Sequence, residues 1–145
     1  MTGKIYSTAS GKSKGKLNVV RLDVGVVAFA IIGISSHEND YRLSWSINEQ
    51  LGLAFAKAEN VITSDGREFS CFVHEYDKQP LLLISNRCDN GFLLEKYKNF
   101  DYILKFNTEL NETEIAERLG DLRSVPLISA AFHIPMDKKI LRLLS

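Results

Sequence analysis

The residues best suited to chemistry lie close together, at Ser35-Ser36-His37-Glu38 and Asp40-Tyr41-Arg42. They follow an apolar run and precede an amphipathic one, which places them at a strand-to-helix junction. Helix amides point outward there and favour an anion, and His37 or Arg42 would add charge-assisted bonds to a phosphate or carboxylate. Ser35, Ser36, His37 and Arg42 are therefore the candidate ligand-binding set. The same residues also read as plain capping, with Ser35 and Glu38 in the S-x-x-E pattern and Asp40 complementing the helix dipole. A catalytic version needs His37 as base and Ser35 or Ser36 as nucleophile, oriented by Asp40 or Asp101. Sequence neighbours rarely meet in triad geometry and no oxyanion motif accompanies these, so no catalytic residue is assigned.

The remaining reactive side chains are dispersed. His74 and Glu75 are neighbours on an expected strand and point to opposite faces, and His133 stands alone in an apolar stretch. Cys71 and Cys88 have no C-x-x-C and no histidine at finger spacing, so neither a metal nor a cofactor is implied. The chain contains no G-x-x-x-x-G-K-[ST], G-x-G-x-x-G or G-x-S-x-G motif. Tyr41 and Trp45, one helical turn apart, form either an exposed aromatic patch for a partner or the rim of a core. Ile140, Leu141 and Leu144 give the last segment an apolar face that turns inward or is left for a partner.

The elements that must position these residues follow from periodicity and turn chemistry. Residues 17 to 24 suggest a short edge strand, and Val27 to Ile34 reads as a buried one. A helix is expected from about residue 36, with Leu43, Ile47 and Leu51 on one face and Gly52 ending it at positive φ. Strands are expected over Leu53 to Thr63 and Glu68 to Tyr76, joined at Asp65-Gly66, and a second hairpin at residues 77 to 80 leads into Leu81 to Ile84. Pairing Tyr76 with Leu81 would make Cys71 and Cys88 diagonal neighbours on one face. Residues 86 to 99 are loop-like, with one helical turn around Leu93 to Lys98. Phe100 to Phe106 alternates, with Phe100, Tyr102, Leu104 and Phe106 on one side. Asn111 and Glu114 cap a second helix that must stop before Pro126, and Leu127 to Ile134 is the last strand. This order predicts an α+β two-layer sandwich, with a mainly antiparallel sheet of five to six strands and two helices on one face, an elaborated ferredoxin-like arrangement.

Composition sets the frame. With 145 residues, 45% apolar and 25% charged, the chain suits one globular domain, and collagen-like or wholly disordered classes are excluded. Residues 1 to 21 carry Lys4, Lys12, Lys14, Lys16 and Arg21 and no acid, a charge of +5. The rest carries 13 basic against 18 acidic residues, or −5. Residues 1–16 are expected to be a disordered basic tail and 17–145 the folded domain. The apolar run Val24 to Ile34 is too short to cross a bilayer and is preceded by too long a polar stretch for a signal peptide, which points away from a membrane and toward a reduced, cytoplasmic protein.

The run Ile32-Gly33-Ile34-Ser35-Ser36-His37, with Asp40-Tyr41-Arg42-Leu43 and Trp45, resembles the corresponding stretch of the IPExxxVDY family, small proteins from the Bacteroidetes. The likeness extends from about Leu22 to about Asp137. The motif that names the family falls on Leu94 to Tyr102, where Asp101 and Tyr102 match letter for letter, and Leu93-Leu94-Glu95 keeps the Glu with one inserted residue. The resemblance implies a divergent member and brings no activity, cofactor or partner with it. Tyr41, Trp45, Asp101, Tyr102, Ile140 and Leu144 are the candidate interface residues. Three readings follow: a non-catalytic interaction or regulatory module with a protein partner or as a homodimer, a small-anion or enzymatic site at Ser35 to Arg42, and RNA association through the basic tail.

Overall fold

In chain order the elements are β1 (Ala30–Ser35), α1 (Asp40–Leu51), β2 (Ala56–Lys57), β3 (Val61–Ile62), β4 (Glu68–Phe69), β5 (Cys71–His74), β6 (Leu81–Ser85), β7 (Arg87–Cys88), β8 (Gly91–Phe92), a 3₁₀ turn (Glu95–Tyr97), β9 (Tyr102–Phe106), α2 (Glu112–Arg123), β10 (Ala130–Ile134) and α3 (Lys138–Leu144). The computed structural model describes residues 29–75 and 80–145, so the expected strand at 17 to 24, the tail, and the turn at 77 to 79 lie outside the described residues. Six strands form one sheet in the order β10-β1-β9-β6-β5-β2, every pairing antiparallel. The series β1-α1-β6-β9-α2-β10, with β1 and β9 central, is a ferredoxin-like βαββαβ core, and β5 and β2 extend it beyond β6.

α1 and α2 cover one face of the sheet, as expected. Leu43 and Ile47 of α1 and Leu122 of α2 pack on Ile32, Ile34, Phe72, Leu83, Leu104 and Ala131. Each large side chain so buried contributes roughly 1.5–3 kcal/mol relative to exposure. The opposite face is covered too. There Ile31, Cys71, Ile84, Ile103 and Ile134 lie beneath Phe69 of the β3–β4 hairpin, Leu93, Leu94 and Phe100 of the 86–100 segment, and Ile140 and Leu144 of α3. β1 is consequently apolar at both even and odd positions, the pattern of a strand buried on two sides.

Several local expectations hold, and the others fail for identifiable reasons. Gly52 ends α1 in the left-handed region at φ 67°. Asp65-Gly66 turns the β3–β4 hairpin with Gly66 at φ 86°, and Asn111 with Glu114 forms a complete capping box on α2. The start of α1 differs from the S-x-x-E reading: its N-cap is Asn39, whose side chain accepts from the Arg42 N–H, and Ser35 to Glu38 remain extended or bent. The stretch Leu53 to Thr63 breaks into β2 and β3, because β2 pairs with β5 whereas β3, among the described residues, pairs with β4. The final strand begins at Ala130, since Leu127 and Ile128 turn into the helical face. Pairing of His74 with Leu81 shifts the β5–β6 register by two residues, so Cys71 faces Ile84 and Cys88 lies farther along, no longer its diagonal neighbour. Phe100 leaves the alternation of β9, because it precedes the strand and its ring lies across Gly33 on the opposite face.

Candidate functional site

The β1–α1 junction is a knot of internal hydrogen bonds. Ser35 Oγ donates to the Asn99 carbonyl at 2.9 Å, and the Ser35 carbonyl accepts from the N–H and hydroxyl of Ser129 at 2.9 and 3.0 Å. Ser36 Oγ donates to the Leu127 carbonyl at 2.7 Å and accepts from the Glu38 N–H at 3.2 Å. The Ser36 N–H donates to one Asp101 carboxylate oxygen at 2.9 Å, and Arg87 donates to the other from Nε at 3.0 Å and Nη2 at 2.6 Å. The Tyr102 hydroxyl donates to the Glu38 carbonyl at 2.5 Å. Burial, followed by the carboxylates of Asp40, Asp101 and Glu38, pushes the Tyr102 phenol up to about 12.

The helix terminus leaves little for an anion. Asn39 takes the Arg42 N–H at 2.9 Å and Asp40 takes the Tyr41 N–H at 2.8 Å, so two of the first-turn donors are already met. Asp40 also accepts from Ser70 Oγ at 2.6 Å, and Glu38 pairs with Arg42 at 2.9 Å. Two carboxylates therefore occupy the ground an anionic ligand would need. His37 is exposed, with no hydrogen bond to any described residue. Ser35, Ser36, His37 and Arg42 are thus close in space, yet Ser35 and Ser36 are engaged in holding the junction to the segment before β9 and to the α2–β10 connection, and Arg42 is paired with Glu38.

The candidate interface residues separate into two groups. Tyr41 and Trp45 are 63% and 62% exposed on the outer side of α1, and the Tyr41 ring meets Phe72 edge-on with centroids 5.1 Å apart. Tyr102, Ile140 and Leu144 are buried, and Asp101 is tied to Ser36 and Arg87. Ile140 and Leu144 close the second face of the sheet, so the inward alternative holds and they offer no surface. His74 is buried, its Nδ1 accepting from the Ala54 N–H at 2.9 Å, while His133 is exposed. Cys71 and Cys88 are free thiols, and burial raises Cys71 above its ordinary value. No group of three His, Cys, Asp or Glu side chains among the described residues is arranged for a metal. No described helix is long and apolar enough to cross a membrane.

One organising residue has no counterpart in the sequence reading. Asn86 is fully buried, donates from Nδ2 to the carbonyls of Tyr97 and Phe100 at 3.0 and 2.9 Å, and accepts the Leu94 N–H at 2.8 Å. Its backbone adds a bond to the Asp101 carbonyl and one from the Leu93 N–H, both 2.9 Å. It thereby shapes the whole 86–100 segment that delivers Asp101 to Ser36. Its only sequence signal is a carboxamide closing the apolar run Leu81 to Ile84.

The chain matches no family model, and no curated protein matches it.

Proposed function

We propose that the chain is a non-catalytic interaction protein whose contact face is the outer side of α1, centred on Tyr41 and Trp45. The observation that carries this reading is the exposure of those two rings, 63% and 62%, side by side on a helix whose opposite face is buried in the core. Exposed Trp and Tyr on a rigid element are the residues most enriched at interface hot spots. The engagement of Ser35, Ser36 and Arg42 in internal bonds supports the same reading by leaving the junction a structural role. Two free thiols fit a reducing, cytoplasmic setting.

The likeness to the IPExxxVDY family belongs to this proposal. Its two quoted stretches touch in the structure: Asp101 and Tyr102 bond to Ser36 and Glu38, within and beside the Ser35-Ser36-His37 run. A fold that needs the first stretch needs the second.

Affinity capture with the full chain, with and without nuclease, tests the function. A nuclease-resistant stoichiometric partner that is lost with Trp45→Ala or Tyr41→Ala, at a cost of about 2 kcal/mol or more, is the expected result. Losses below about 0.5 kcal/mol at both positions refute the α1 face. The +5 charge of residues 1 to 21 favours a second reading, RNA association through the basic tail. Deletion of residues 1 to 16 then abolishes salt-sensitive binding, and unchanged binding removes that reading.

A further inference from the structure

The outer edge of β10 carries an inference independent of α1. The Ser35 carbonyl points toward β10, where it meets Ser129, so Gly33 and Ile31 two and four residues earlier point the same way, toward Phe132 and Ile134. Phe132 and Ile134 therefore spend their backbone groups on β1, whereas Ala131 and His133 aim theirs away from the sheet. β10 ends the sheet among the described residues. Its outward Ala131 carbonyl is held by Arg123, the last residue of α2, which donates from Nε at 3.2 Å and from Nη2 at 2.7 Å. The same guanidinium lies 5.5 Å from the ring of Phe132, which is 53% exposed on the opposite face. Arg123 thus wraps the edge, covering both a carbonyl and an apolar ring.

We propose that β10 is a homophilic pairing edge, that its occupant is β10 of a second copy, and that Arg123 is the latch this pairing displaces. The edge is complementary to itself. Around a twofold axis at Phe132, Ala131 of each copy faces His133 of the other, and each such pair exchanges an N–H and a carbonyl. The two Phe132 rings then stand side by side as a close, non-hydrogen-bonded cross-strand pair. Ala130 to Ile134 contains no Lys, Arg, Asp or Glu, so the copies meet without the like charges that blunt other sheet edges.

Sedimentation velocity over a concentration series, on the full chain, tests this with Arg123→Ala, Arg123→Gln and the double variant R123A/H133P, each checked for folding by thermal melt. Proline at 133 removes an outward N–H and leaves the ladder to β1 intact. Freeing the edge from two charge-assisted bonds should lower the dimer dissociation constant about tenfold or more in R123A, less in R123Q, and the proline should restore wild-type behaviour. Identical sedimentation of wild type, R123A and R123Q at every concentration overturns the proposal. So does a double variant that dimerises as tightly as R123A, which would put the contact elsewhere.

Discussion

Asn86→Asp changes almost no volume and reverses two hydrogen-bond polarities. Asn86 Nδ2 donates to the carbonyls of Tyr97 and Phe100, and a carboxylate in that place would face both as an acceptor with no water to screen it. The introduced carboxyl group must therefore take up a proton, which lets it donate to one carbonyl and keep the Leu94 N–H. At low pH the variant loses one hydrogen bond and leaves one carbonyl unsatisfied, a cost of about 1–3 kcal/mol. The group's folded pKa is raised above its unfolded value of about 3.9, so its contribution is present in full below that value and is lost as pH rises. Holding the proton costs about 1.4 kcal/mol per pH unit above about 4, which makes the variant roughly 3 kcal/mol worse at pH 7 than at pH 4.5 relative to wild type. Urea unfolding of both proteins at the two pH values measures this directly. A penalty equal at both to within about 0.5 kcal/mol would mean that the site admits water or a counter-charge, and would refute the hub role argued for Asn86.

Other expectations concern the same framework. Gly33→Ala drives a Cβ into the Phe100 ring, so it should destabilise by about 1–3 kcal/mol, and G33A/F100L should recover part of that in thermal melts. Tyr102, with its phenol raised to about 12 from 10.0, should give a step near pH 12 in an ultraviolet titration, and Tyr102→Phe should remove that step. Because the folded value is the higher one, Tyr102 stabilises below about pH 10 and this is lost as pH rises through about 12, a decline the Phe variant should lack. Asp101→Ala should cost about 2 kcal/mol in urea melts by stranding the Ser36 N–H. Arg87→Ala should cost less than about 1 kcal/mol, since its side chain is 57% exposed.

The features legible in the sequence are those set by local chemistry: the Gly52 stop, the Asp65-Gly66 turn, the Asn111 cap, and the one-sided face of α1. Element order carried the topology, because two strand-helix-strand units around hairpins have few ways to close one sheet. What the sequence hid depends on contacts distant along the chain. Ser35 and Glu38 have the letters of a capping box, but Ser36 is claimed by Asp101 and Leu127, and the cap passes to Asn39. The β5–β6 register is set by which apolar rows meet, and it pairs His74 with Leu81 two residues away from the turn-based choice. The second covered face was hidden because β9 alternates like a half-buried strand, while Ile103 on its other side is as buried as any residue in the chain. Asn86 acts through backbone groups, which leave no mark on a sequence.

The central position of β1 bears on the protein's synthesis. Ile31-Ile32-Gly33-Ile34 emerges from the ribosome well before Tyr102 and Ala131, the residues beside which Ile34 must pair. Until then its backbone has neither neighbour in the sheet, and α1 shields only the face carrying Ile32 and Ile34. A nascent chain of this topology carries an unpaired, strongly apolar strand until β9 is synthesised, a period in which it is a substrate for chaperones and for pairing with other chains. Folding should then be one late event, closed when β9 and β10 arrive on either side of β1.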